Sequence, residues 1–234
     1  FRKDGTVIYD SGASLERAIA EIGHYPEKRS KSKGVEIESI EFARYGDVPY
    51  LFVVSERASV VAVYELSDLA APKLKQILPS GISPEGAVAI PARNLLVTAN
   101  EADLGEDGAA RAHVMIYQLQ DAAPAYPMLT SAGSDPLIGW GALGALTFAD
   151  GRIFAASDSV YPAMPSIYEI DTTATPARIV AQTVVSRGGQ PAQKLDIEGI
   201  AADGEGGFWL ANEGDAAKLG PHAILHVNAK GEIT

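Results

Sequence analysis

Four stretches of the chain share one grammar, and this self-similarity constrains the fold more than any local propensity does. They read IESIEFARYGDVPYLFVVSERASVVAVYELSD, PEGAVAIPARNLLVTANEADLGEDGAARAHVMIYQLQ, LGALTFADGRIFAASDSVYPAMPSIYEID and IEGIAADGEGGFWLANEGDAAKLGPHAILHVNAKGEI. In each, a short apolar strand follows a small-residue or Glu turn, and a polar turn leads to a second strand that ends in an acid. A variable loop then leads to a third strand. The first-position residues Glu38, Glu85, Gly144 and Glu198 are 47, 59 and 54 residues apart, and the strand-end acids are Glu56, Glu101, Asp158 and Glu213. Units of about 40 to 50 residues with three or four short strands describe propeller blades, which bury their faces against neighbours. The expected fold is all-β, a β-propeller of antiparallel blades, with four blades at residues 36–80, 81–138, 139–190 and 191–234.

Residues 1–35 stand outside this repeat. Asp4-Gly5 lies between apolar runs and signals a hairpin, so FRKDGTVIYDSG is expected to supply strands to a partial blade. The one good helix is SLERAIAEIG, with Ser14 as N-cap, Leu15, Ile19 and Ile22 on one face, and Gly23 as the stop. The basic stretch HYPEKRSKSKG after it reads as a solvated connector. In GGFWLANE, Phe208 and Leu210 alternate with Trp209 and Ala211, and Trp209 is expected to lie between blades.

The formal charge of −11 sets the general field against phosphate backbones, so nucleic acid is not an expected partner. An acidic surface suits cations, or an anionic substrate held by a bound cation or a local Lys/Arg cluster. Cysteine is absent, which removes disulfides, thiolate nucleophiles and Cys-ligated zinc together. No run approaches the length of a membrane helix. The sequence opens at Phe1 and stops at Thr234 within a hairpin-like ILHVNAKGEIT, so it reads as a fragment of a larger propeller.

The repeated acids are the only residues whose pattern points to a site. The second and fourth repeats each combine a first-position Glu with Asn-Glu at the strand end: Glu85 with Asn100 and Glu101, and Glu198 with Asn212 and Glu213. Carboxylate and amide oxygens are the ligands that Ca²⁺ prefers. The same acids equally suit a structural role, accepting backbone N–H groups from the adjacent blade. Other chemistry finds no support. There is no G-x-S-x-G elbow, and Ser83 before Pro84 belongs to a turn. His222 and His226 lie on one strand, too far apart for one zinc ion, and His113 begins a third strand. RGGQPAQ lacks the helix that a phosphate cradle needs and reads as a blade connection.

Two family resemblances rest on these stretches. DSGASLERAIAEIG, EIESIEFARYGDVPYLFVVSERASVVAVYELSD and SPEGAVAIPARNLLVTANE resemble the choice-of-anchor I type of extracellular β-propeller domain, from residue 5 to about 120. LDIEGIAADGEGGFWLANEGD, with ILHVNAKGEI after it, resembles the phytase-like family described as having esterase-like activity, from about residue 139 to the end. Its hallmark is an Asp-x-Glu-Gly turn followed by a Gly-Gly-Phe-Trp strand and a terminal Glu. Together they imply a bacterial exported protein, periplasmic or extracellular, that hydrolyses phosphoesters or esters. The resemblance also implies acidic calcium sites with basic substrate contacts, for which Arg187, Lys194 and Lys218 are the candidates. Gly144 departs from the repeated Glu. Two functions remain open: a calcium-assisted hydrolase of a small phosphorylated or ester substrate, and a non-catalytic extracellular propeller that binds a protein partner or displays other domains.

Overall fold

The structure, a computed structural model, describes residues 1–214 and 220–234. It divides into two compact units, Phe1–Ile19 with Lys28–Pro127 and Ala20–Glu27 with Met128–Thr234. Each unit contains two blade-like sheets, antiparallel apart from one short parallel pairing at residues 129–130, so the fold class is the all-β, multi-sheet one that the repeats imply.

In the first unit, β1 (Ile37–Tyr45), β2 (Val48–Ser55), β3 (Val60–Glu65) and β4 (Lys73–Pro79) form a four-stranded meander. A second meander follows with β5 (Pro84–Ile90), β6 (Leu95–Asn100) and β7 (His113–Gln118). Alternation decides which face is buried. Ala43, Tyr45, Phe52, Val54, Val61 and Val63 point from the first sheet into a core completed by Leu96, Ala87, Ala89 and Tyr117 of the second.

In the second unit, the short β8 (Leu129–Thr130) is followed by β9 (Leu143–Ala149), β10 (Arg152–Ser157), β11 (Ser166–Asp171) and β12 (Ala177–Val184). Their order in the sheet is β8-β12-β11-β10-β9. The RGGQPAQ stretch makes a small hairpin, β13 (Ser186–Arg187) with β14 (Gln190–Pro191), ahead of the meander β15 (Ile197–Ala202), β16 (Phe208–Asn212) and β17 (Ala223–Val227). Ala145, Ala156 and Ile167 of one sheet bury Ile197, Phe208, Leu210 and Val227 of the other, and the rings of Phe154 and Phe208 meet edge-on at 5.0 Å.

The grammar of the repeat has a backbone meaning. In all four sheets the register of the first two strands slips by one residue, and the residue left over is Glu38, Glu85, Gly144 or Glu198. These are β-bulges, which re-aim a side chain at the end of a sheet. In every sheet the N–H of the strand-end acid donates to the carbonyl two residues before the bulge. Glu56 bonds Glu36 at 2.9 Å, Glu101 bonds Ser83 at 2.9 Å, Asp158 bonds Ala142 at 2.9 Å, and Glu213 bonds Asp196 at 2.8 Å. At Glu36, Ser83 and Ala142 the backbone is left-handed, with φ of 50, 53 and 41°. Gly144 has a local reason: a Cβ there would lie 3.3 Å from the Cβ of Asp158.

Several expectations are corrected. Residues 1–12 make a turn, with Gly5 N–H bonding Arg2 O at 2.9 Å, but they contain no strand and give no partial blade. The turn forms because Asp4 accepts the N–H of Thr6 locally, whereas its flanks are short, exposed and unpaired to any sheet. Residues 129–130 pair in parallel with β12, so this part of the expected second blade belongs with the third sheet. The basic stretch is not purely a solvated connector, since Arg29 and Lys33 pair with the buried Glu36. Trp209 is 47% exposed and does not lie between sheets, while Phe208 and Leu210 beside it are buried. It rests on His226 at 4.6 Å, and that imidazole is held by Asp203 at 2.9 Å and by the Thr234 hydroxyl at 2.6 Å.

The helix α1 (Ser14–Glu21) buries Leu15 and Ile19 as its pattern requires. Within the second unit, the Glu21 carbonyl at its end accepts Ser131 N–H at 2.8 Å and the Trp140 indole at 3.0 Å. Gly23 follows with φ +76°, and a Cβ there would lie 2.6 Å from the Trp140 ring. Only glycine ends the helix this way.

Candidate functional site

Bulge acids and strand-end acids converge because a bulge turns its side chain toward the end of the sheet, where the preceding sheet finishes its second strand. Three acid groups result, each with ligand atoms within 4.8 Å of one another: Glu36, Glu38 and Glu56; Glu56, Glu85 and Glu101; and Asp158, Asp196 and Glu198. The second and third follow one rule within their own units. The strand-end acid of one sheet meets the bulge acid of the next.

The groups differ in what neutralises them. Arg57 lies between Glu36 and Glu56, its Nε 3.1 Å from the first and its Nη1 2.6 Å from the second. With Arg29 and Lys33 also on Glu36, that carboxylate is held down to about 2, chiefly by its bond from Lys33. The first group is therefore already satisfied by side-chain cations. Glu85 has its pKa raised by desolvation and then by the charges of Glu101, Glu56 and Glu38. Arg57 moderates this second group too, for Glu101 is among the charges that raise its own pKa.

The third group carries no such counterion: among the described residues, no Lys or Arg forms an ion pair with Asp158, Asp196 or Glu198. Asp196 is pushed up to about 6, first by a hydrogen bond shared with Asp158, then by desolvation and by the charges of Asp158, Glu198 and Glu213. Its Oδ1 is buried without any hydrogen-bond partner. Buried polar atoms are seldom left so. An all-oxygen set with a surplus of negative charge and an unclaimed lone pair fits a hard cation such as Ca²⁺.

Of the residues expected from sequence, Glu85 and Glu101 come together, joined by Glu56, and Glu198 joins Asp158 and Asp196. Glu213 acts on Asp196 through its charge. Asn100 and Asn212 commit both ends of their carboxamides to the scaffold. Asn100 accepts the Ser80 hydroxyl at 2.6 Å and donates to His113 O at 3.1 Å. Asn212 accepts Asp196 N–H at 2.8 Å and donates to Pro221 O at 2.9 Å, which sets the position of Asp196. Arg187 and Lys194 are exposed, and Lys194 holds a left-handed backbone at φ 67°. Lys218 lies outside the described residues. The residue that sequence reasoning passed over is Asp196, although it opens the Asp-x-Glu-Gly hallmark. Aligning the four repeats two columns before the bulge, at Glu36, Ser83, Ala142 and Asp196, is the signal that finds it.

Comparison with known proteins follows the same division of the chain. Two solved structures are similar over most of it. "Kuenenia stuttgartiensis Hydrazine Synthase" is 12% identical, with 86% of this chain and 48% of that one covered at a TM-score of 0.29. "Dihydro-heme d1 dehydrogenase NirN in complex with DHE" is 13% identical, with 88% and 38% covered at a TM-score of 0.27. The chain thus spans half or less of their lengths, and superpositions this loose carry no weight for activity. No curated protein matches the chain. No helix among the described residues is long and apolar enough to cross a membrane. Residues 1–69 match the Choice-of-anchor I domain family, and residues 138–234, which hold Asp158, Asp196, Glu198 and Glu213, match the phytase-like family described as "Esterase-like activity of phytase".

Proposed function

We propose that the protein is an exported hydrolase of phosphoric or carboxylic esters that works with a calcium ion held by Asp158, Asp196 and Glu198. The observation that carries this reading is the buried, unpartnered Oδ1 of Asp196 within a group of carboxylates that no described Lys or Arg neutralises. A bound calcium ion supplies positive charge that neutralises an anionic ester and polarises the oxygen next to the scissile bond. The chain's own part is positional. The bulge at Glu198 and the Asn212 carboxamide fix two of the three carboxylates on rigid strand ends, so the site forms without reorganisation. With Asp196 near pH 6, the group sheds its shared proton close to neutrality and accepts a cation there. The match to a family described by esterase-like activity supports the reaction class.

The match of residues 1–69 to the Choice-of-anchor I family favours a second reading, in which the protein binds an extracellular partner without turnover and the acids serve only to hold the sheets. Hydrolysis of para-nitrophenyl phosphate and para-nitrophenyl acetate, with calcium and with chelator, separates the two. Calcium-dependent turnover lost in Asp196→Asn upholds the hydrolase. Absence of turnover on both substrates, in protein that calcium stabilises, favours the partner-binding reading.

A further inference from the structure

At the opposite end of the strands from its acid groups, the first unit opens. Among the described residues the first sheet has four strands and the second three, so Gln76 and Leu78 of β4 face no fourth strand of the neighbouring sheet there. The cleft left there is about 250 Å³, and Leu119 and Pro124, from the chain beyond β7, border it. Its walls are aromatic: Tyr45, Tyr50, Phe52 and Tyr117, with Leu96 at the floor. Tyr45 meets Tyr50 and Phe52 edge-on at centroid distances of 6.1 and 6.0 Å. Two of the rings are locked from outside the cleft, since the Tyr45 hydroxyl donates to Leu95 O at 2.6 Å and the Tyr117 hydroxyl donates to Pro79 O at 2.9 Å. These walls are preformed, which removes much of the ordering cost of binding.

We propose that this cleft is a binding site for an uncharged, single-ring aromatic compound carrying one hydroxyl or amide group. Size sets the first limit. A dry apolar cavity of about 150 Å³ accommodates benzene, so the volume of about 250 Å³ here takes one ring with a short substituent. Charge sets the second. The rim is made of the carboxamides of Gln76, Asn94 and Gln118 with one ammonium, Lys75, whose Nζ lies 3.3 Å from Glu65. That pair is internally balanced, no carboxylate lines the cleft to receive a cation, and the chain's charge of −11 disfavours an organic anion. The rim carboxamides offer donors and acceptors to one hydroxyl or amide, while aromatic faces and edges take the ring. The site is independent of the calcium reading, because it shares no residue with any acid group.

The test is a titration of the whole chain with para-cresol in the presence of chelator, read from the backbone amide signals of Leu96 and Tyr117 in proton–nitrogen correlation spectra. Saturable shifts at millimolar concentration or below are expected, with para-toluate and cyclohexanol each weaker by about tenfold or more. Leu119→Trp fills the cleft from an exposed position without touching the core, and Tyr50→Leu removes one aromatic wall while keeping bulk. Both should weaken binding by about tenfold with unchanged circular dichroism. Absence of a saturable shift at these amides, equal affinity for para-toluate, or undiminished binding in either folded variant overturns the proposal.

Discussion

Asp158 and Asp196 share a hydrogen bond between the end of one sheet and the start of the next, and this bond is the largest cause of the raised pKa of Asp196. Its consequence for stability has a definite sign. A carboxyl at about 6 in the folded chain against 3.8 when unfolded binds its proton more tightly in the folded state. The stability it contributes is complete below pH 3.8 and is lost as pH rises through about 6. Melting temperature in chelator should therefore fall across that window relative to Asp196→Asn. Parallel profiles for the two proteins would contradict the shared proton.

Glu36 works in the opposite sense. Held down to about 2 from 4.5 by Lys33, Arg57 and Arg29, it contributes stability above pH 4.5 that is lost as pH falls toward 2. Glu36→Gln should flatten the acid limb of the melting profile and leave the window governed by Asp196 in place. If the acid limb is unchanged, another carboxylate governs it.

Calcium should raise the melting temperature by binding only the folded state, worth about 2.7 kcal/mol at a hundredfold excess over Kd. Asp158→Asn with Asp196→Asn should abolish that shift, because the amides keep shape but not charge. Glu56→Gln with Glu101→Gln should retain it, since Arg57 already serves those carboxylates. Loss of the calcium shift in the second pair alone would move the cation to the other group.

Arg57→Gln tests the idea that a guanidinium occupies the place of a cation in the first unit. It leaves Glu36 and Glu56, whose side chains are 5 and 3% exposed, with less compensation. The variant should melt lower in chelator and gain a second calcium-dependent increment. Differential scanning with and without calcium measures both effects, and a variant that calcium stabilises no more than the parent refutes the exchange.

Packing makes neighbouring residues on one strand unequal. Leu210 is fully buried between sheets, and Leu210→Ala should cost about 2 to 5 kcal/mol in denaturant melts. Trp209→Ala, removing a half-exposed ring that rests on His226, should cost about 1 kcal/mol or less. A larger loss at Trp209 than at Leu210 would mean that this face is covered in solution.

Part of the candidate acid grouping was legible in the spacing of acids. Glu85 with Glu101, and the bulge position at Glu198, follow from a repeat whose equivalent residues fold into equivalent backbone. Asp196 was not, because its importance comes from a neighbour, Asp158, on a different sheet. Asn100 and Asn212 look like ligands in a string of letters, yet each sits where a strand end leaves backbone groups to be satisfied, and their amides bond there instead.

Local chemistry in the chain was enough to determine the four meanders, their turns, the helix at Ser14–Glu21 and the glycine that stops it, because alternation, capping and φ preferences act between near neighbours. Tertiary structure alone decided which face of Trp209 meets solvent, which acids are matched by Arg57 and which are not, and where a missing fourth strand leaves an aromatic cleft. Those outcomes depend on pairings between residues far apart in sequence, and the energy of a buried charge or ring is set by what surrounds it in space.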